Sequence, residues 1–324
     1  MGAPTAQASR HVYELQKQKN GESRKCDQAG AIASAYYPGM SNSPFETHRH
    51  RILRVQLFIE ENLDEELSFE RLAEVARLSP RHFHRIFKAI VGENVAEYVR
   101  RIRLEVGAIR LKATTAPVTS IAFDTGYGSH EAFTRAFRRR FGVSPSDFRE
   151  NHITPCTSGE KNMSNDSSTR AVEIRTLPDM RVAFLRWVGP YIECGSTFGK
   201  LMEWGGKKGL LGPSTTTLGI YHDDPDVTPA DKLRADCCIT VGDDVSADGE
   251  VQIQTLTPGE CAVLTHVGPY SELEASYRWF FGEWLMTSGR ETSDTPPFEI
   301  YINDPSCTPE SELVTEICLS LKVK

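Results

Sequence analysis

This chain repeats itself twice, with two different periods, and that doubling constrains its fold more than any other feature. The stretch "HFHRIFKAIVGENVAEYVR" at 82–100 returns as "AFTRAFRRRFGVSPSDFRE" at 132–150, fifty positions later and without a gap. Further on, "VEIRTLPDMRVAFLRWVGPY" (172–191) returns as "VQIQTLTPGECAVLTHVGPY" (251–270), 79 positions later. The two repeated units differ in kind. The first is basic with helical periodicity; the second alternates, as in Val172-Glu173-Ile174-Arg175, which is a strand pattern. A chain of 324 residues has room for two such domains, each with its own core.

Charge follows the same division. Residues 45–152 hold 18 Lys/Arg against 15 Asp/Glu, a balance of +3, and six of the nine histidines. Residues 153–324 hold 14 against 26, a balance of −12, which makes the second half a poor surface for phosphate. No apolar run approaches the roughly 20 residues of a membrane span, and no signal pattern opens the chain, so the expected location is cytoplasmic with no membrane partner. The eight cysteines include no C-x-x-C, which excludes a zinc-finger spacing and suits reduced thiols. Composition assigns 1–44 to a disordered N-terminal tail and 153–170 to a linker. Met40 precedes a sensible alternative start.

In the first basic copy, Phe83, Ile86, Phe87 and Ile90 fall at i, i+3, i+4 and i+7, one apolar stripe. Ser79 and Pro80 suit the N-cap and first helical position. The short amphipathic "FERLAEVARL" lies just upstream, so the pair forms a helix-turn-helix with the cationic helix second. The second copy repeats this: "SIAFDTGYG", a turn at Gly126, a cap at Ser129, then a helix with Phe133, Ala136, Phe137 and Phe141 inward. Between them "NVAEYVRRIRLEVGAIRLKAT" predicts a helix of about 20 residues, roughly 30 Å long. Successive major-groove faces of B-DNA are about 34 Å apart, so one such spacer sets two recognition helices in adjacent grooves.

Residues 50–152 resemble the double helix-turn-helix domain of AraC/XylS-type transcription regulators, through "LAEVARLSPRHFHRIFK" and "IAFDTGYGSHEAFTRAFRRRFGVSPSDFR". The resemblance implies base contacts from Arg81, His84 and Arg85 in the first copy and His130, Glu131, Thr134 and Arg135 in the second. Lys88, Arg138 and Arg139 are better placed for phosphate. The implied partners are double-stranded DNA, RNA polymerase and a small-molecule effector.

In the acidic half each repeat reads strand, strand, helix, strand, strand, and ends with "GIYHDDP" (219–225) or "EIYINDP" (299–305). Two units about a pseudo-twofold axis leave a cleft between them. The repeats differ at one telling position: Glu299 stands where the first has Gly219. A carboxylate in an apolar, aromatic cleft is costly unless a ligand or a neighbour such as Arg278 satisfies it. Residues 170–324 resemble the GyrI-like effector-binding domain, through "VGPY", "LGIYHDDP", "EIYINDP" and "TEICLSL". That resemblance implies a pocket for an amphipathic cation, with Glu299 as counter-charge and Tyr301, Tyr221, Trp187, Tyr191 and Trp284 as walls.

The expected fold is therefore multidomain. An all-α double helix-turn-helix domain at 45–152 precedes an α+β domain at 171–324, built from two pseudo-symmetric ββαββ repeats. No nucleophile–base pair, metal cluster or cofactor loop is evident, so neither catalysis, metal nor cofactor is expected. The alternative is a GyrI-like hydrolase or drug-sequestering protein with an attached DNA-binding domain.

Overall fold

A computed structural model describes residues 48–153 and 171–322. The expected tail, Met40, nearly all of the expected linker, and Cys26 and Cys156 lie outside the described residues.

Among the described residues seven helices form the first domain: α1 (His48–Glu61), α2 (Phe69–Val75), α3 (Pro80–Val91), α4 (Val95–Ala113), α5 (Val118–Asp124), α6 (His130–Phe141) and α7 (Pro145–Ile153). The recognition helices α3 and α6 each begin after a serine and end on a left-handed glycine, Gly92 (φ 81°) and Gly142 (φ 80°). There the missing side chain removes the penalty for positive φ. Asn94 starts α4 with a reciprocal capping box, accepting from the Glu97 amide while the Glu97 carboxylate accepts from its own.

Helix α4 has 19 residues, hence roughly 28 Å at 1.5 Å each. Its two ends serve different cores. Val95, Tyr98 and Ile102 pack with Phe83 and Phe87, whereas Leu104, Ala108 and Leu111 pack with Phe133 and Phe137. All four phenylalanines are fully buried, so each recognition helix is fixed by its own apolar stripe to a common shaft. Ile90, expected on that stripe, is 40% exposed; it sits in the last turn of α3, beyond the reach of the core.

The second turn is one residue longer than the first, with 125–129 between α5 and α6 against 76–79 between α2 and α3. Gly128 is the extra residue. Gly126 takes the left-handed position (φ 76°), where a Cβ would lie 2.1 Å from the Leu63 carbonyl oxygen; Arg77 (φ 51°) holds the matching place in the first turn.

The second domain is one eight-stranded antiparallel sheet with two long helical segments. Its strands are β1 (Val172–Leu177), β2 (Met180–Val188), β3 (Thr217–Tyr221), β4 (Arg234–Thr240), β5 (Gln252–Leu256), β6 (Gly259–Val267), β7 (Phe298–Tyr301) and β8 (Val314–Ser320). Helix α8 (Gly195–Lys207) lies in the first half. In the second, α9 (Leu273–Trp279) runs on through a π-helical segment, Phe280–Leu285. The order β1-β6-β8-β7-β3-β4-β2-β5 has the expected pseudo-symmetry, with one unexpected element. The halves exchange first strands: β1 pairs with β6 and β5 with β2. The central pair is β3–β7, in which Gly219 stands directly opposite Glu299. The two positions at which the repeats diverge therefore face each other across the pseudo-twofold axis.

Candidate functional site

The exposed face of α3 carries Arg81, His84, Arg85 and Lys88, and that of α6 carries Glu131, Arg135, Arg138 and Arg139. Their positions follow from the fixed stripe: with Phe83, Phe87, Phe133 and Phe137 inward, these residues must point away. His130 and Thr134 are half-buried, and the Thr134 hydroxyl is shielded without a hydrogen-bond partner. Arg140, exposed on the same helix, is instead tied to buried Glu105 at 3.0 Å.

The cleft lies in the other domain. Residues directly opposite on neighbouring strands share a face, so Cys237 (β4), Gly219 (β3), Glu299 (β7) and Ile317 (β8) form one row on the side covered by α8 and α9. Glu299 is only 3% exposed. Tyr277 of α9 donates to its Oε1 at 2.9 Å, and Tyr301 donates to its Oε2 at 2.8 Å. The Tyr301 hydroxyl in turn meets that of Tyr221 at 2.7 Å. A Cβ on Gly219 would sit 2.9 Å from the Tyr301 hydroxyl and 3.0 Å from that of Tyr221, so glycine there makes room for the paired phenols.

Burial raises the Glu299 carboxyl to about 7, against hydrogen bonds from Tyr301 and Tyr277 that favour its charged form. Among the described residues no cationic side chain pairs with it. Arg278, the alternative partner, is bound to Glu274 at 2.6 Å on the exposed face of α9. The walls of the cleft include Tyr191, Phe198, Tyr270 and Phe281. Tyr270 packs edge-on against Tyr301 with centroids 5.5 Å apart, and Phe198 does so from α8 at 5.5 Å.

Of the expected walls, Tyr191, Tyr221 and Tyr301 are present, and the two tryptophans are not. The Trp187 indole donates to the Pro190 carbonyl at 3.0 Å, pinning the turn after β2. Trp284 packs on Phe280, with centroids 5.3 Å apart, in the apolar core between α9 and the sheet. The family resemblance suggested both as walls, but each is consumed by local packing. Tyr270 and Tyr277 were missed, although Tyr270 is the repeat mate of Tyr191 in "VGPY".

On the opposite face of the sheet the helical domain is attached through buried charge. Glu60, at the end of α1, pairs with Arg186 at 3.1 Å and with Arg234 at 2.5 Å. Arg186 also binds Asp236, and Arg234 binds Asp223 at 2.7 Å. Burial opposes ionisation of Glu60, yet the two guanidiniums overcome it and hold the carboxyl at about 2. Lys112 of α4 adds Asp224 at 2.6 Å and Asp226 at 3.1 Å. Tyr191 joins this seam to the cleft: its ring packs on Tyr221 at 4.8 Å, and its hydroxyl donates to the Asp223 carbonyl at 2.7 Å.

Comparison with known proteins fits both halves. Residues 72–151 match a helix-turn-helix domain family, and residues 170–322 match the GyrI-like small molecule binding domain. The regulatory protein SoxS of Salmonella typhimurium is 34% identical over 103 residues, 32% of this chain and 96% of SoxS. The chain belongs to the AraC-type transcription regulators. Another relative, the TetD protein of transposon Tn10 from Escherichia coli, is 36% identical over 106 residues, 33% of this chain and 77% of TetD. The crystal structure of the EcmrR C-terminal domain aligns with a TM-score of 0.41 at 20% identity, over 48% of this chain and 98% of that one. As an AraC-type regulator with a GyrI-like domain, the protein is a DNA-binding transcription regulator joined to a small-molecule-binding domain. Among the described residues no helix is long and apolar enough to cross a membrane, and no group of three or more His, Cys, Asp or Glu could hold a metal.

Proposed function

We propose that this regulator responds to a small amphipathic cation that enters the tyrosine-lined cleft and neutralises Glu299. The observation that carries the reading is a carboxylate 3% exposed with phenols, and no cation among the described residues, around it. Such a group is costly when ionised and becomes favourable when a lipophilic cation supplies charge and stacking together. Tyr191 gives the occupied cleft a route to the charged seam that holds α1. On the DNA side, Arg81, His84, Arg85, His130, Glu131, Thr134 and Arg135 would read base edges, with Lys88, Arg138 and Arg139 on phosphates. RNA polymerase is the proposed recipient of the signal.

Calorimetry with tetraphenylphosphonium tests the cleft. Affinity should fall as pH drops through 7, because the protonated carboxyl has no charge to offer. The Glu299→Gln variant should lose most binding at pH 8 while basal DNA binding persists; equal affinity in both proteins overturns the assignment. For the DNA face, Arg85→Ala and Arg135→Ala should each cost about 1–3 kcal/mol on operator and little on scrambled duplex. Arg139→Ala should weaken both duplexes alike.

A further inference from the structure

Two buried positions in contact differ between the sheet-domain halves as a pair. In the second half Leu273, the first residue of α9, and Ile317 of β8 belong to one apolar cluster. Counting back 79 residues from Leu273 and 80 from Ile317 gives Cys194 and Cys237. Both are free and buried, and the Cys237 thiol donates to the Cys194 carbonyl oxygen at 3.9 Å. A core that packs well with leucine and isoleucine does not require two sulfurs there.

The surroundings of Cys194 favour reactivity. It lines the cleft and is the residue just before the N-terminus of α8, a helix of 13 residues whose partial positive charge favours a thiolate, although its thiol makes no capping hydrogen bond. The neighbouring Cys237 thiol, with a smaller contribution from Tyr221, holds the Cys194 thiol below its usual range against burial and the Glu299 charge, whereas Cys237 itself is pushed up. The Tyr221 and Tyr301 hydroxyls, 2.7 Å apart, then lead to Glu299, which Tyr301 reaches at 2.8 Å.

We infer that Cys194 is a covalent capture site for a soft, lipophilic α,β-unsaturated carbonyl, such as a quinone or enone, that enters the same cleft. This rests on the cleft being the ligand pocket. The thiol proton passes along Tyr221 and Tyr301 to the Glu299 carboxylate. The sulfur electron pair forms a C–S bond to the β-carbon, and the C=C π pair moves to make an enolate. The enolate then recovers the proton at its α-carbon. Nothing leaves and no oxidant is consumed; Cys237 remains a thiol throughout.

The test treats the full chain with limiting N-phenylmaleimide at pH 7.5, where the Glu299 carboxyl is mostly ionised, followed by peptide mass mapping of all cysteines. Cys194 should be labelled at least about tenfold faster than exposed Cys307. Cys237→Ala should slow Cys194 by a similar factor. The double variant Cys194→Leu with Cys237→Ile, which installs the second half's residues, should melt normally and lose the fast adduct. Equal rates at Cys194 and Cys307, or a fast adduct persisting in the double variant, overturns the inference. Recovery of a Cys194–Cys237 disulfide instead of the adduct also overturns it, in favour of a redox pair. Fast labelling of Cys194 in a chain that ignores tetraphenylphosphonium leaves capture standing and removes only the cation reading.

Discussion

The two halves of the sheet domain share a backbone plan and little of their chemistry. Where the first has Arg186, His222, Asp223, Arg234 and Asp236, the second has Thr265, Ile302, Asn303, Val314 and Glu316. Asn303 keeps one backbone contact of Asp223, accepting from the Val314 amide at 2.9 Å as Asp223 does from Arg234 at 2.7 Å. What it lacks is the ion pair. The helical domain accordingly docks chiefly on the first half, where His222 is half-buried, whereas Ile302 at the matching place in the second is 55% exposed; it touches the second half through Arg110 and Asp294. The cleft shows the opposite bias: Glu299 and Tyr277, the charged acceptor and its donor, both come from the second half. Duplication supplied the frame, and each specialised role sits where one copy departs from the other.

The sharpest way to break this comparison is Arg234→Val, which gives the first half the second half's residue. It leaves Asp223 without its guanidinium and Glu60 with Arg186 alone in a buried seam, and loss of one partner from such a cluster costs about 3–5 kcal/mol. Urea denaturation should register that loss, and unchanged stability would mean the seam is solvated.

Next comes Glu299→Gln. The native carboxyl titrates near 7 and the unfolded one near 4.5. Between those values the native state keeps a proton that the unfolded state has lost, so wild-type stability falls as pH rises through the window. The full loss above pH 7 is roughly 3 kcal/mol, at 1.36 kcal/mol per unit. Glutamine removes this dependence, so the variant should gain on the wild type from pH 4.5 to 7.5 in thermal melts. A difference that is flat with pH would count against burial of the ionised group.

Gly219→Ala narrows the pseudo-symmetry by restoring a Cβ opposite Glu299. Crowding of the phenol pair should cost about 1–3 kcal/mol by the same denaturation assay. The smallest effect is expected for Arg278→Ala. Its exposed i,i+4 pair with Glu274 is worth less than about 0.5 kcal/mol, and cation affinity should not move. A shift in the Glu299 titration in that variant would reopen Arg278 as its partner.

The helical half was legible in the sequence almost throughout, because its signals are local. Caps, left-handed glycines and the phenylalanine stripe each act within a turn or two. The sheet domain's repeat and the Gly219–Glu299 contrast were equally plain. The wall of the cleft was less so. Tyr277 reaches Glu299 from a helix 22 positions away, and nothing in its neighbourhood distinguishes it from Trp284, which turned to the core. The seam was invisible for the same reason: Glu60 and Arg186 are 126 residues apart, and each alone reads as a solvated charge.

The exchange of first strands also has a temporal meaning. Val172 is registered against Leu264, so β1 emerges from the ribosome some ninety residues before its neighbour exists. Until then the first half has no partner for one strand and presents β2 with an open side that only β5 will close. Pairings of such long sequence separation close late and slowly. A nascent chain halted near residue 245 would therefore expose raw strand edges, the form most open to aggregation, with its DNA-binding helices already complete.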